Sequence, residues 1–504
     1  MTMAEDGGRL AKTPTLNQAL ITADVLRVMV QYVIDKDFLR FALVSRDWRG
    51  AWGHRPTVTS IIPALRATVS QLRYSFECGA PTHSIRVCTA IARRGDLELL
   101  RCAREYGCPW NAATCAAAAR GGHLDVLQHL RLNLCPWDKT TSASAAEGGH
   151  LALLRWAKTY DCPWDWRVPT LASRNGHMDI LRWAHLQGCP WDTTACMAAA
   201  AGGHLDILKW LREHGCPWDH TTCLTAAVRG QLGVLQWARA NGCPWNEWTC
   251  TSAVLGENIG ILRWARANGC DWNENTCSAA AFVGNLEILM WARGHGCPWN
   301  RDTCTAAAEG GHLEVLKWAR KNGCRWDENT CSLAASGGHL DCLKWARRKR
   351  CPWSSTTCSM AAMRGHLVVL RWARRHGCYW NESTCTNAAE SGHLDILQWA
   401  RENGCPWTSA TCYGAARHGH LEVLQWAREN GCPWTSATCY GAARNGHLEV
   451  LQWARENGCK WDWDDCFKAA ETNRHQHILT WMRTDGSDWW FARFLRWLTS
   501  IGRR

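Results

Sequence analysis

Residues 402–428, ENGCPWTSATCYGAARHGHLEVLQWAR, are followed at once by residues 429–455, ENGCPWTSATCYGAARNGHLEVLQWAR, and the two stretches differ only at His418 versus Asn445. So close a duplication means that the chain lengthens by adding one unit, and that unit must be a piece of structure that stacks on its own kind. Working outward, the cysteine of Cys-Pro-Trp stands at Cys108, Cys135 and Cys162 and recurs at that same interval, twenty-seven positions, through to Cys459. A further unit follows with a one-residue slip. There Ser487-Asp488-Trp489 stands where Cys-Pro-Trp would be, and the steps from His447 to His475 and from Trp453 to Trp481 are each one position too long. A partial unit comes first, Cys88 lying one full interval before Cys115.

At 504 residues the chain is long enough for several globular domains, but a strict internal period overrides that expectation and points to a quasi-one-dimensional stack. Its 35 tryptophans and 30 cysteines fall mainly into two slots of the unit each, so they are packing positions multiplied rather than a scattered reactive inventory. Ser142 and Pro169 replace the second cysteine and Ser487 the first. An obligatory disulfide would not tolerate that, so the expectation is free, buried thiols in a reducing compartment, intracellular and either cytoplasmic or nuclear. Residues 1–13 are polar, without the apolar core of a leader, and are expected to be disordered. No run of about 18 apolar residues occurs, so no membrane partner is expected. The formal charge of +12 is spread along the array and favours acidic partners only weakly.

With the cysteine of Cys-Pro-Trp as slot 1, the unit reads Cys-Pro-Trp-Asn/Asp-x-x-Thr-Cys-x-x-Ala-Ala-x-x-Gly-His-Leu-Asp/Glu-Ile/Val-Leu-x-Trp-Ala-Arg-x-x-Gly. Two helices fit between its punctuation marks. The first starts after Asn or Asp and puts Cys304, Ala307 and Ala308 on one face, small enough for neighbouring helices to approach closely. The second presents Leu313, Val315, Leu316, Trp318 and Ala319 and stops at Gly323. Neither helix is long enough to stand alone, so stacking must supply the stability. The fold class is therefore all-α.

The pattern Ala-Ala-x-x-Gly-His-Leu-Glu-Val-Leu-x-Trp-Ala resembles the ankyrin repeat, with Asn-Gly-Cys-Pro-Trp where ankyrin units carry Gly-Ala-Asp-Val-Asn. The resemblance implies an ankyrin-like helical-repeat solenoid over residues 83–489, about fifteen units. A unit as short as the one from Cys297 to Gly323 leaves no room for the protruding hairpin of a longer ankyrin unit. Cys-Pro-Trp is expected to make a short rigid turn, with Trp plugging the gap between successive units.

Residues 14–55 have no kinship with the repeat. Leu26, Met29, Val30 and Val33 form one helical stripe and Phe38, Leu39, Ala42 and Leu43 another, and Leu43-Val44-Ser45-Arg46-Asp47-Trp48-Arg49 closes the segment. It resembles an F-box, although Pro14 lies ten residues upstream of Asp24 and no Leu-Pro opens the first helix. The resemblance implies docking to a Skp-type adaptor through Leu26, Val30, Phe38, Leu39 and Val44. The plainer reading is a cap for the solenoid. Residues 56–82 form a connector with one degenerate helix around Ala64 to Tyr74, and the amphipathic residues 490–504 form a C-terminal capping helix.

The histidine at slot 16 recurs beside two cysteines, which raises a metal reading. The same slot holds Asp96, Gln231, Asn258 and Asn285, so a helix-capping or turn role is expected and no metal or other cofactor. A Cys-His nucleophile is also unexpected, because both residues recur as structural invariants and no unit departs to build one special site. The chain is read as a non-enzyme. Basic residues of the second helix form a stripe, Lys344 and Arg371 at slot 21 and Arg320, Arg347 and Arg374 at slot 24. It is either a solvated face supported by pairs such as Glu314–Lys317 or a track for an acidic protein or for nucleic acid, and its lack of clustering argues against nucleic acid.

Function in a repeat array lies where units disagree. The divergent surface positions are Trp166, Arg167, Glu247, Trp248, Met360, Arg364, Tyr413 and Tyr440. Aromatic and arginine side chains on a rim are the usual anchors of protein interfaces. Three functions remain open: substrate recognition for a cullin-RING (SCF-type) ubiquitin ligase, a binding scaffold with no ligase link, and a basic solenoid binding nucleic acid. The chain is expected to be monomeric and to bind protein targets.

Overall fold

The computed structural model describes residues 68–77, 82 and 84–485; the F-box-like segment, most of the connector and the proposed C-terminal cap lie outside them. Among the described residues there are 31 helices and no strands. The first, Val69–Glu77, lies C-terminal to the centre expected for the connector helix. Helix pairs follow, from Ile85–Arg94 with Leu97–Glu105 to Trp463–Thr472 with Gln476–Asp485. The chain divides into two compact units between Pro244 and Trp245. Each is an all-helical repeat stack in which a first helix packs on the first helices of its neighbours and on the second helix of its own pair.

Residues 297–323 show how the sequence builds one pair. Cys297-Pro298-Trp299 makes a short turn without regular structure. Asn300 then ends it, its side chain accepting the Asp302 N–H at 2.8 Å and so satisfying one of the orphan donors of the helix Arg301–Glu309. Thr303, Cys304, Thr305, Ala307 and Ala308 are buried. The sharp turn to Leu313–Lys321 needs the left-handed backbone of Gly311, φ 78°. That second helix buries Val315, Leu316 and Ala319 and leaves Leu313 and Trp318 half-buried, a narrower stripe than the sequence reading gives. It closes with the Gly323 N–H on Arg320 O at 3.2 Å and the Cys324 N–H on Ala319 O at 3.0 Å. This is the crossed pair of bonds of a Schellman end.

The core of each stack is therefore narrow and made of small groups. Cysteine fits because a thiol is little larger than a methyl and can hydrogen-bond weakly. The slot-1 thiol donates to the carbonyl at slot 4 of the preceding pair, as Cys297 Sγ does to Asn273 O at 3.4 Å. The slot-8 thiol faces the slot-1 thiol of the next pair, Cys115 Sγ lying 3.6 Å from Cys135 Sγ. Every described cysteine is free and buried. Burial pushes Cys88 up to about 12. The hydrogen bond to Cys324, and then burial, raise Cys304 well above the usual thiol range.

Candidate functional site

The recurrent residues are consumed by stacking. The slot-3 and slot-22 tryptophans of one pair meet edge to face, as Trp299 and Trp318 do at 5.8 Å and 66°. The slot-24 arginine of the preceding pair then lies on the slot-3 ring, Arg293 at 4.3 Å from Trp299. The same arginine position donates to the carbonyl of the following cysteine, as Arg320 does to Cys324 at 2.6 Å. The slot-24 half of the basic stripe is thus not an open track. Each such guanidinium is half-buried over an indole, where a cation–π contact is worth about 0.5–2 kcal/mol, and it lies in the last turn of its helix, where a positive charge is favoured.

Of the two roles expected for the slot-16 histidines, capping and turn, the rings take the second. Asp96 and Asn285 do cap their helices, accepting from Leu99 N and Ile288 N at 3.0 Å each, whereas Gln231 and Asn258 make no side-chain cap bond. The histidines at that slot make no side-chain cap bond. Their rings instead reach back to the preceding pair, where Nε2 of His123 lies 3.1 Å from Arg93 O and that of His420 3.1 Å from Glu390 O. The ring lies so close over the preceding turn that a Cβ on Gly311 would come 2.4 Å from His339 Nδ1. A flat ring longer than Asn bridges two pairs instead of closing one helix. Among the described residues no group of three or more His, Cys, Asp or Glu is placed to hold a metal ion.

The divergent positions fall into two kinds. Trp166 and Trp248 are 41% and 46% exposed, and Arg364 is also exposed. Trp166 carries the Arg167 guanidinium 5.6 Å from its ring centroid, and Arg167 also pairs with Asp165. Glu247 and Met360 are half-buried on the first turn and in the last half of their helices. Tyr413 is half-buried as well, because it packs against the next pair: a Cβ on Gly441 would lie 3.0 Å from its Cε2. Tyr440 is half-buried at the equivalent place. Tyr413 therefore contributes to stacking between pairs, which its position in the sequence does not reveal.

A cleft missed by the sequence reading opens between the second helices Leu367–Arg375 and Leu394–Glu402. It is about 500 Å³ and is lined by Arg371, Arg374, Arg375, Trp380, Trp399 and Asn403. Its signal in the sequence is faint: Val368 stands where neighbouring pairs have Glu314 and Asp341.

A family model of ankyrin repeats, three copies, matches residues 170–246. No curated protein matches the chain. Among solved structures, the pentatricopeptide repeat protein PPR10 in complex with an 18-nt psaJ RNA element is 13% identical, with 92% of this chain and 89% of that chain covered and a TM-score of 0.33. A second structure of PPR10, from maize, is 14% identical over 93% and 89%, TM-score 0.29. The human ASB11 ankyrin repeat domain is 18% identical over 31% of this chain and 84% of that one, TM-score 0.28. Likenesses at this level carry no argument about targets.

Proposed function

We propose that this chain is a protein-binding scaffold whose helical array captures a target and whose N-terminal segment links it to a Skp-type adaptor, as the substrate-recognition subunit of an SCF-type ubiquitin ligase. One observation carries the scaffold half: residues 170–246 match ankyrin repeats, while invariant slots face inward and divergent ones such as Trp166 and Trp248 face solvent. That division suits a surface tuned by substitution without disturbing the stack. The adaptor half rests on the F-box-like pattern of residues 14–55.

The test is a pull-down of a purified Skp-type adaptor by the full chain and by Leu39→Asp. The wild type should retain the adaptor and the variant should lose it, with unchanged helical circular dichroism in both. A folded wild-type chain that retains no adaptor leaves the scaffold and removes the ligase link. For the array, Trp166→Ala and Trp248→Ala should each weaken capture of a bound target by roughly tenfold or more if they are anchors.

A further inference from the structure

The second helices change sign along the C-terminal compact unit. At slot 25 the exposed residues are Lys321, Arg348 and Arg375 in three successive pairs, then Glu402, Glu429 and Glu456 in the next three. Helices Leu313–Lys321, Leu340–Arg348 and Leu367–Arg375, with the Lys349-Arg350 turn, hold eleven Lys and Arg against two acids, a formal +9. The helices Leu394–Glu402, Leu421–Glu429 and Leu448–Glu456 hold three basic residues against six acids, a formal −3. The basic residues are clustered after all, and the cleft lies where the sign changes.

Counter-ions are missing at that place. Lys317 and Lys344 are paired one turn back, with Glu314 at 2.8 Å and Asp341 at 4.0 Å. Arg371 has no such partner, because the residue one turn back is Val368, itself 68% exposed. A carboxylate from the next pair can serve instead, as Glu287 does for Arg263 at 3.7 Å. The residue so placed for Arg371 is Asp395, one methylene shorter, and no ion pair forms. Among the described residues Arg348, Lys349, Arg350, Arg371 and Arg375 all lack a carboxylate within 4.0 Å.

The rings decide what kind of anion fits. Trp380 and Trp399 meet edge to face at 5.7 Å and 67°. Arg374 covers Trp380 at 4.1 Å, and Arg371 lies 5.6 Å from the Trp399 centroid. Trp380 is only 5% exposed and Trp399 is half-buried with Arg371 beside its ring, so the cleft offers a nucleobase little indole face to stack on. A continuous polyphosphate laid along the second helices would also be attracted over three pairs and repelled over the next three. A short run of carboxylates needs neither an open face nor a long basic track, and guanidinium forks match it.

We propose that the cleft between Leu367–Arg375 and Leu394–Glu402 binds an acidic segment of a partner protein, its carboxylates held by Arg371 and Arg375, with Arg348, Lys349 and Arg350 extending the contact. This rests on the protein-scaffold reading and names the chemistry of one partner.

The experiment measures fluorescence anisotropy of a labelled oligoglutamate peptide, an oligoglutamine control and an oligouridylate of equal length, titrated with the full chain at low and at physiological salt. Oligoglutamate should bind and oligoglutamine should not. Arg371→Gln with Arg375→Gln should weaken binding about tenfold or more, and Val368→Glu, which restores the missing counter-ion and leaves every arginine in place, should weaken it several-fold. Arg155→Gln with Arg182→Gln, in the other compact unit, should change nothing. Equal loss in that control pair reduces the effect to general charge and overturns the site. Tighter binding of oligouridylate, lost through the same two arginines, overturns it in favour of nucleic acid. Absence of oligoglutamate binding by a folded wild type also overturns it, while leaving the scaffold reading to the Trp166 and Trp248 variants.

Discussion

At the scale of the residue, one buried hydroxyl shows how neighbouring pairs set each other's energetics. Thr305 gives its proton to Arg301 O at 3.1 Å, so at 3.3 Å it can only accept from Thr330 of the next pair. Thr222 occupies the same slot as Thr330, but the residue facing it is Met197, and its buried Oγ1 has no partner. Leaving a buried donor unpaired costs about 1–3 kcal/mol, whereas a made bond contributes about 1 kcal/mol. Thr222→Val should therefore raise stability by about 1 kcal/mol and Thr330→Val lower it by about 1 kcal/mol, read as opposite shifts of the urea midpoint. Shifts of the same sign would defeat the account. The buried threonine is legible in the sequence as a repeated slot; whether it is satisfied is not, because its partner lies 25 residues away on another pair.

At the scale of the element, the second helix is held at its start by a ring belonging to the next layer of packing. Burial lowers the pKa of His339, His420 and His447, partly opposed by the hydrogen bond to the backbone carbonyl behind each ring. A lowered folded-state pKa means that the unfolded chain takes up the proton first. This contribution is present in full above the unfolded value of about 6.5 and is lost as pH falls through it towards the lower folded value. The urea midpoint should fall between about pH 7.5 and pH 5.5. The triple variant His339→Asn, His420→Asn, His447→Asn should show a flatter dependence, since Asn caps this same slot at Asn285 and carries no titrating proton. An unchanged slope in the triple variant would place the pH dependence elsewhere. The sequence made His and Asn look equivalent because both can accept at a helix start. Ring length and the close approach of the preceding glycine turn separate them.

At the scale of the whole molecule, each compact unit is a sum of similar pairs and of the interfaces between them. The twin stretches at residues 402–455 make this testable. Removing residues 429–455 joins Arg428 to Glu456 in register, so every slot keeps its neighbours. The shortened chain should fold cooperatively with a smaller urea m-value, in proportion to the surface lost, and should bind oligoglutamate as before, because Arg371 and Arg375 lie upstream of the deletion. Loss of folding would contradict a stack of exchangeable pairs. The deletion also removes Glu429 and so shortens the acidic row without touching the cleft.

By itself the sequence determined the period, the two helices of each pair, their caps at Asn300 and Gly323, and the free, buried state of the described thiols, because these depend on local backbone preference and on a pattern repeated often enough to be unmistakable. Only the tertiary structure decided which way the repeated polar side chains turn. The slot-24 arginines turn onto tryptophans, the histidines turn onto the preceding pair, and Tyr413 turns onto Gly441. It also brought Trp399 and Asn403 of one pair against Arg371, Arg374 and Arg375 of the pair before, around one cleft. The physical reason is common to all of these: each outcome depends on a residue one stacked pair distant along the chain, and on side-chain lengths differing by a single methylene or a ring.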